Sequence, residues 1–222
     1  MGGRGSNIGG TVFDGGGGRS AAFYDHTDKF RGMSLHDYEN VIRNRKQEWI
    51  GVADEEGNIV VAGTSGRKGS VAVPTNHPDF NKGYTLTHNH PHDGGRGVGG
   101  TLSEADVYNA AELTDKGFGG GTRAVAGGDN EFAYIIKPSQ TRKVNPAKLT
   151  SYVARVQKNS TMQKRGDKVL KKVEREMKKR GRTMSIEDKN TAYLGGMKST
   201  WRNSKSVYNA GFDYIEVNTP KW

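Results

Sequence analysis

Between Glu48 and Pro138 the apolar residues fall into short β-branched runs interrupted by a single helical stretch. That alternation confines the chain to an α/β arrangement of sheet and covering helices. EWIGVADEEGNIVVAG, residues 48–63, reads as two strands around a turn at residues 55–58, and YTLTHNH, residues 84–90, reads as a third. LSEADVYNAAELTDKG, residues 102–117, predicts a helix with Val107, Ala110, Ala111 and Leu113 near one face and Gly117 as its stop. TRAVAGGDNEFAYIIKP then predicts a hairpin turning at residues 127–130.

Helices flank this region. Ahead of it, SLHDYENVIRNRK offers Ser34 as a cap with Asp37 three residues on, and Tyr38, Val41 and Ile42 share a face. Beyond Pro138, Asn145 and Pro146 open a helix whose Leu149, Tyr152, Val153 and Val156 form a stripe. GDKVLKKVEREMKKRG repeats the pattern with Val169, Leu170, Val173 and Met177 and stops at Gly181. Ser185 caps a further helix weakened by Gly195 and Gly196, and FDYIEV, residues 212–217, is β-like and able to return to the sheet.

Hydrophobic residues make up only 32% of the 222, and 32 residues are Gly, so part of the length buries little. Residues 1–22, a Gly-rich run of linker composition, are expected to be disordered. The organisation predicted is that tail, a metal-binding domain over residues 23–140, and a basic helical extension with a short terminal strand over residues 141–222. The chain has no cysteine, which excludes disulfides and thiolate ligands and fits an intracellular, cytoplasmic protein. No apolar run approaches the roughly 20 residues of a membrane span, and no secretory signal core is present, so no membrane partner is expected.

Chemistry concentrates at residues 84–107, YTLTHNHPHDGGRGVGGTLSEADV. Alternate residues of a strand face one way, so His88 and His90 project together with Cα atoms roughly 6.5–7 Å apart, close enough to chelate one ion. Ser103 and Asp106 are neighbours at a helix start. Two imidazoles and a carboxylate form a three-ligand set that leaves one zinc position for water, as catalytic sites do. Ser103 with Asp106 is equally the S-x-x-D signature of a helix cap, and Thr101 with Glu104 is a second in an overlapping frame. Glu48 opens a strand and faces the same way as Ile50 and Val52; its other reading is a charged residue at a strand entry. His92, beyond the strand-ending Pro91, reads as a neighbour of the site or a solvent-facing residue and not as a ligand, and His77, in TNHPDF, reads as structural or substrate-facing, without an acidic partner.

HNHP followed by SEAD resembles the motif of the JAMM or JAB (MPN-type) metalloproteases, H-x-H-P and then S-x-x-D with a Glu upstream. The RadC-type branch is the most similar, and QEWIGVADEEGNIV resembles the strand that precedes its motif. The resemblance runs from about Glu48 to Ile136. It implies a JAB-type (cytidine-deaminase-like) curved sheet flanked by helices, with one Zn²⁺ held by His88, His90 and Asp106. It further implies Glu48 as general base, Ser103 as stabiliser of the oxyanion, and hydrolysis of an amide or isopeptide bond in a protein or peptide substrate, ubiquitin-like conjugates included. Eleven residues, HDGGRGVGGTL, separate Pro91 from Ser103, a longer gap than the family's usual one. Loop closure tolerates such an insertion, and it lies where either a substrate-facing flap or a drifted site would result. The N-terminal GGRGS run resembles Gly-rich tails of bacteriophage head-associated proteins, which would put the protein in a host cytoplasm.

Charge supplies the competing reading. Residues 137–182 carry 16 Lys or Arg against three Asp or Glu, a net +13 in a chain whose total is +10. Such a surface, centred on residues 148–182, would attract phosphate backbones or an acidic protein. The chain would then be a RadC-like, JAB-fold module associated with nucleic acid, its hydrolysis secondary or absent.

Overall fold

A computed structural model describes residues 22–67, 71–91, 101–127, 132–202 and 204–218. The expected disorder of residues 1–22 therefore falls almost wholly outside the described residues, as do His92, most of the glycine-rich insertion and most of the 127–130 turn. The architecture is α/β, one seven-stranded mixed sheet flanked by helices.

The chain enters through β1 (Tyr24–Asp25), α1 (Thr27–Phe30) and α2 (Leu35–Ile42), then forms β2 (Trp49–Ala53) and β3 (Ile59–Thr64). Ser34 caps α2 by accepting the Asp37 amide, and Gly57 turns the β2–β3 hairpin at φ +82°. The short α1 carries no signal that the sequence reading used. β4 (Thr85–Asn89) joins β2 antiparallel, α3 (Glu104–Thr114) crosses over, and β5 (Gly121–Ala126) lies parallel to β4. β6 (Phe132–Pro138) pairs antiparallel with β5.

Helices α4 (Pro146–Lys158), α5 (Thr161–Lys179), α6 (Ile186–Lys198) and α7 (Lys205–Asn209) follow, and β7 (Phe212–Asn218) returns to pair with β6. The strand order is β1-β3-β2-β4-β5-β6-β7, so β4 is central. One core lies where α3 and α4 cover β5 and β6, joining Val107, Ala110 and Ala111 to Ala124, Ile136, Leu149 and Trp201. On the opposite face α2 packs Tyr38 and Ile42 against Trp49, Ala62 and Val125. None of the helices is long and apolar enough to cross a membrane, among the described residues.

Two expectations change in the C-terminal helices. α5 begins at Thr161, before the stretch read from its sequence, and Gly166 is buried inside it. Gly196 is not only a weak point of α6, because a Cβ there would run into the Arg165 carbonyl, and a Cβ at Gly166 would meet the Tyr193 ring at 2.6 Å. The two glycines permit α5 and α6 to cross at close range, and that tertiary contact outweighs the helix-propensity loss. Val169, Leu170, Val173 and Met177 are only half-buried, unlike the α4 stripe.

Candidate metal centre

The β4–α3–β5 crossover builds the centre. Because β4 and β5 are parallel, the C-terminal end of β4 and the start of α3 meet on one face, where α/β sheets gather functional groups. Side chains of β4 alternate, so His88 and His90, the latter just past the strand end, share the face that α3 covers. The His90 amide donates to the Val125 carbonyl at 3.0 Å, carrying the β5 pairing past the strand and fixing its direction.

All three candidate ligands are 2% exposed. His88 Nε2 stands 3.1 Å from Asp106 Oδ1, His90 Nε2 stands 3.4 Å from Asp106 Oδ2, and the two Nε2 atoms are 2.9 Å apart. Protons cannot satisfy all of these contacts. Two neutral imidazoles bring at most two Nε2 protons to three contacts, and one on each ring sets two N–H groups against each other. A cation among the three lone-pair donors satisfies every pair, and this buried His-His-Asp group could hold a metal ion. Burial alone would raise the Asp106 carboxyl's pKa, but its contacts with His88 and His90 outweigh it and hold the group far below the usual carboxylate range.

The cap and ligand readings of Ser103 and Asp106 describe the same atoms. Ser103 is the N-cap of α3, its Oγ accepting the Asp106 amide at 3.3 Å, while its own amide donates to Asp106 Oδ2 at 2.6 Å. That reciprocal box fixes the Asp106 rotamer, and Oδ2 faces His90 while it caps. The overlapping Thr101–Glu104 frame is not the one used, since the Thr101 hydroxyl lies 3.2 Å from the Tyr214 hydroxyl on β7.

Glu48 lies one residue before β2 and is 2% exposed. Ile50 is the last β2 residue paired with β4, opposite His88, and Glu48 lies two residues before it, so period two gives it the Ile50 side of the strand. It is not part of the cluster of ligand atoms lying within 4.8 Å of one another. Its backbone is pinned from both sides, the amide donating to the Arg67 carbonyl and the carbonyl accepting the Thr64 hydroxyl, each at 2.7 Å.

Two supports were not read from the sequence. Asn89, between the histidines and fully buried, accepts the Trp49 amide at 2.6 Å and donates to the Gln47 and Arg45 carbonyls at 3.1 and 3.3 Å. It ties the segment carrying Glu48 to the strand carrying the histidines. Trp201, also fully buried, donates its indole N–H to the Leu102 carbonyl at 2.8 Å and pins the residue before the Ser103 cap. The signal for Asn89 was present in TLTHN, which alternates polar Thr85, Thr87 and Asn89 along one face, so each needs a partner once the strand is central.

His77 has an acidic partner that lies far away in the sequence. Its Nε2 lies 3.3 Å from Asp25 Oδ2, and its Nδ1 accepts the Asp79 amide at 3.1 Å. Comparison of the chain with protein-family models, with curated proteins and with solved structures finds no match.

Proposed function

We propose that the protein is a zinc-dependent metallopeptidase or isopeptidase of JAB type, cleaving an amide or isopeptide bond in a protein or peptide substrate. The observation that carries this reading is the buried convergence of His88, His90 and Asp106. Their separations of 2.9, 3.1 and 3.4 Å compare with roughly 3.3 Å between donors on a tetrahedral ion with bonds of about 2.0–2.1 Å. Two imidazole nitrogens with one carboxylate favour zinc over magnesium or calcium, which select oxygen ligands. The JAB assignment draws on the motif residues meeting at one point across the long Pro91–Ser103 gap.

Bound there, Zn²⁺ supplies Lewis acidity and lowers the pKa of water to about 7. Glu48 accepts the proton of the attacking water and returns it to the leaving nitrogen, a role supported by its burial and its place two residues before Ile50, the strand partner of His88. The Ser103 hydroxyl spends one lone pair on the Asp106 amide and keeps its O–H to donate to the carbonyl oxygen as charge develops there. The capping box, Asn89 and Trp201 hold these groups in place.

The test is Glu48→Gln assayed on peptide and isopeptide substrates. The variant keeps one zinc per chain and loses roughly 10²–10⁴-fold in hydrolysis, the usual worth of a general base. Unchanged hydrolysis in the variant would contradict the role assigned to Glu48.

A further inference from the structure

The α5–α6 hairpin carries a charge distribution that the metal centre does not use. α5 buries only Met162 and Gly166, while Lys164, Lys168, Lys171, Lys172 and Arg175 are all exposed. At 100° per residue these five fall within roughly 100° of helix circumference, and Lys178 and Lys179 extend the same arc along roughly 22 Å of axis. Val169, Leu170, Val173 and Met177 occupy the opposite side, which faces α6.

Among the ion pairs of α5 with described residues, only one reaches this arc, at its Lys179 end. Glu174 is 3.7 Å from Lys189 of α6, and Glu176 pairs with Lys179 at 3.2 Å. Lys164, Lys168, Lys171, Lys172 and Arg175 make no ion pair with a described residue. Together with one acidic residue, Asp167, they line an open trough of ≈580 Å³.

We infer that the exposed face of α5 is a binding surface for the phosphodiester backbone of nucleic acid. Three features select that partner. The cations form a line, recurring every three or four residues, and so meet a linear array of phosphates. The arc holds no aromatic residue, so the contact reads charge and not bases. The apolar side of α5 is turned toward α6, away from the cations, whereas a helix lying in a membrane surface needs that side for lipid. This surface is independent of the metal centre, and its success or failure leaves the zinc reading untouched.

The experiment is fluorescence anisotropy of the full chain with a mixed-sequence DNA duplex of roughly 20 base pairs, longer than the cationic array, and with a single-stranded RNA. Binding of either polymer supports the proposal, and the tighter of the two names the source. Neutralising about five phosphates gives a log–log salt slope near −4.5, a loss of roughly 500-fold in affinity between 50 and 200 mM salt. Combined Lys168→Gln, Lys171→Gln, Lys172→Gln and Arg175→Gln substitution removes most of that slope, with zinc content and Tm unchanged because all four side chains are exposed. A control with equal charge loss elsewhere, Lys46→Gln, Lys116→Gln, Lys143→Gln and Lys205→Gln, retains it. The proposal is overturned by equal losses in the two variants, by no binding at 50 mM salt, or by tighter binding to a polyglutamate peptide or to phosphatidylserine vesicles than to either nucleic acid.

Discussion

The two faces of β4 bury polar side chains to different ends. On the α2 face, Thr87 donates to Glu39 Oε1 at 2.8 Å, and Arg123, its register neighbour on β5, clamps the same carboxylate through two bonds of 2.6 and 2.8 Å. Asn89 on that face is likewise bonded through both its carbonyl oxygen and its amide. Donors there meet acceptors, and the face is finished as protein. On the α3 face, His88, His90 and Asp106 converge with fewer protons than contacts. Burial of polar groups is common to both faces, and only an unbalanced donor–acceptor count calls for a ligand.

Removing a ligand should break that contrast most completely. Asp106→Ala or His88→Ala is expected to abolish stoichiometric zinc and all zinc-dependent hydrolysis, read by metal analysis and by assay. In the wild-type chain, zinc at 100 times its Kd adds about 2.7 kcal/mol, roughly 5–10 °C in Tm for a domain of this size, and chelator reverses the shift. The Asp106→Ala chain should show no such shift.

The next effect belongs to the other face. Glu39→Ala leaves Arg123 without its partner and should cost about 3–5 kcal/mol in denaturant unfolding, with zinc content unchanged once the chain is folded. Replacing both, Glu39→Leu with Arg123→Met, should recover most of that loss, because a buried pair is replaceable by well-packed apolar groups. No double replacement of metal ligands should recover zinc.

Asn89 lies between the two behaviours. Asn89→Ala leaves the Trp49 amide and two carbonyls without their partner and should cost about 1–3 kcal/mol in stability. It should also lower hydrolysis roughly 10–100-fold, the usual range for residues that orient a metal site, with a smaller change in zinc affinity. The smallest expected change is Thr87→Val, about 1.5 kcal/mol for one bond to a charged group, with zinc and activity at wild-type levels. A loss of zinc in Thr87→Val would erase the distinction between the faces.

Much of this could be read from local signals. The caps at Ser34, Ser103, Asn145 and Ser185 all form, because each depends on contacts within a few residues. The shared direction of His88 and His90 follows from strand period alone, and the Ser103-x-x-Asp106 cap leaves Asp106 facing both histidines, so the cap and ligand readings are compatible. What stayed hidden depends on distant partners. Glu39 gives no sign in the sequence that its partner is Arg123, 84 residues on. His77 finds Asp25 across the fold, and Gly196 looks like a helix breaker until Gly166 is brought against it. The nearness of Glu48 to the partner of His88 depends on register, and register becomes known only when β2 pairs with β4.

The central claim is the metal centre, and the zinc content of the full chain, purified without added metal and compared with its Asp106→Ala variant, tests it most directly. The expected result is one zinc per wild-type chain and none in the variant. A wild-type chain without zinc, or a variant that holds as much, would contradict it.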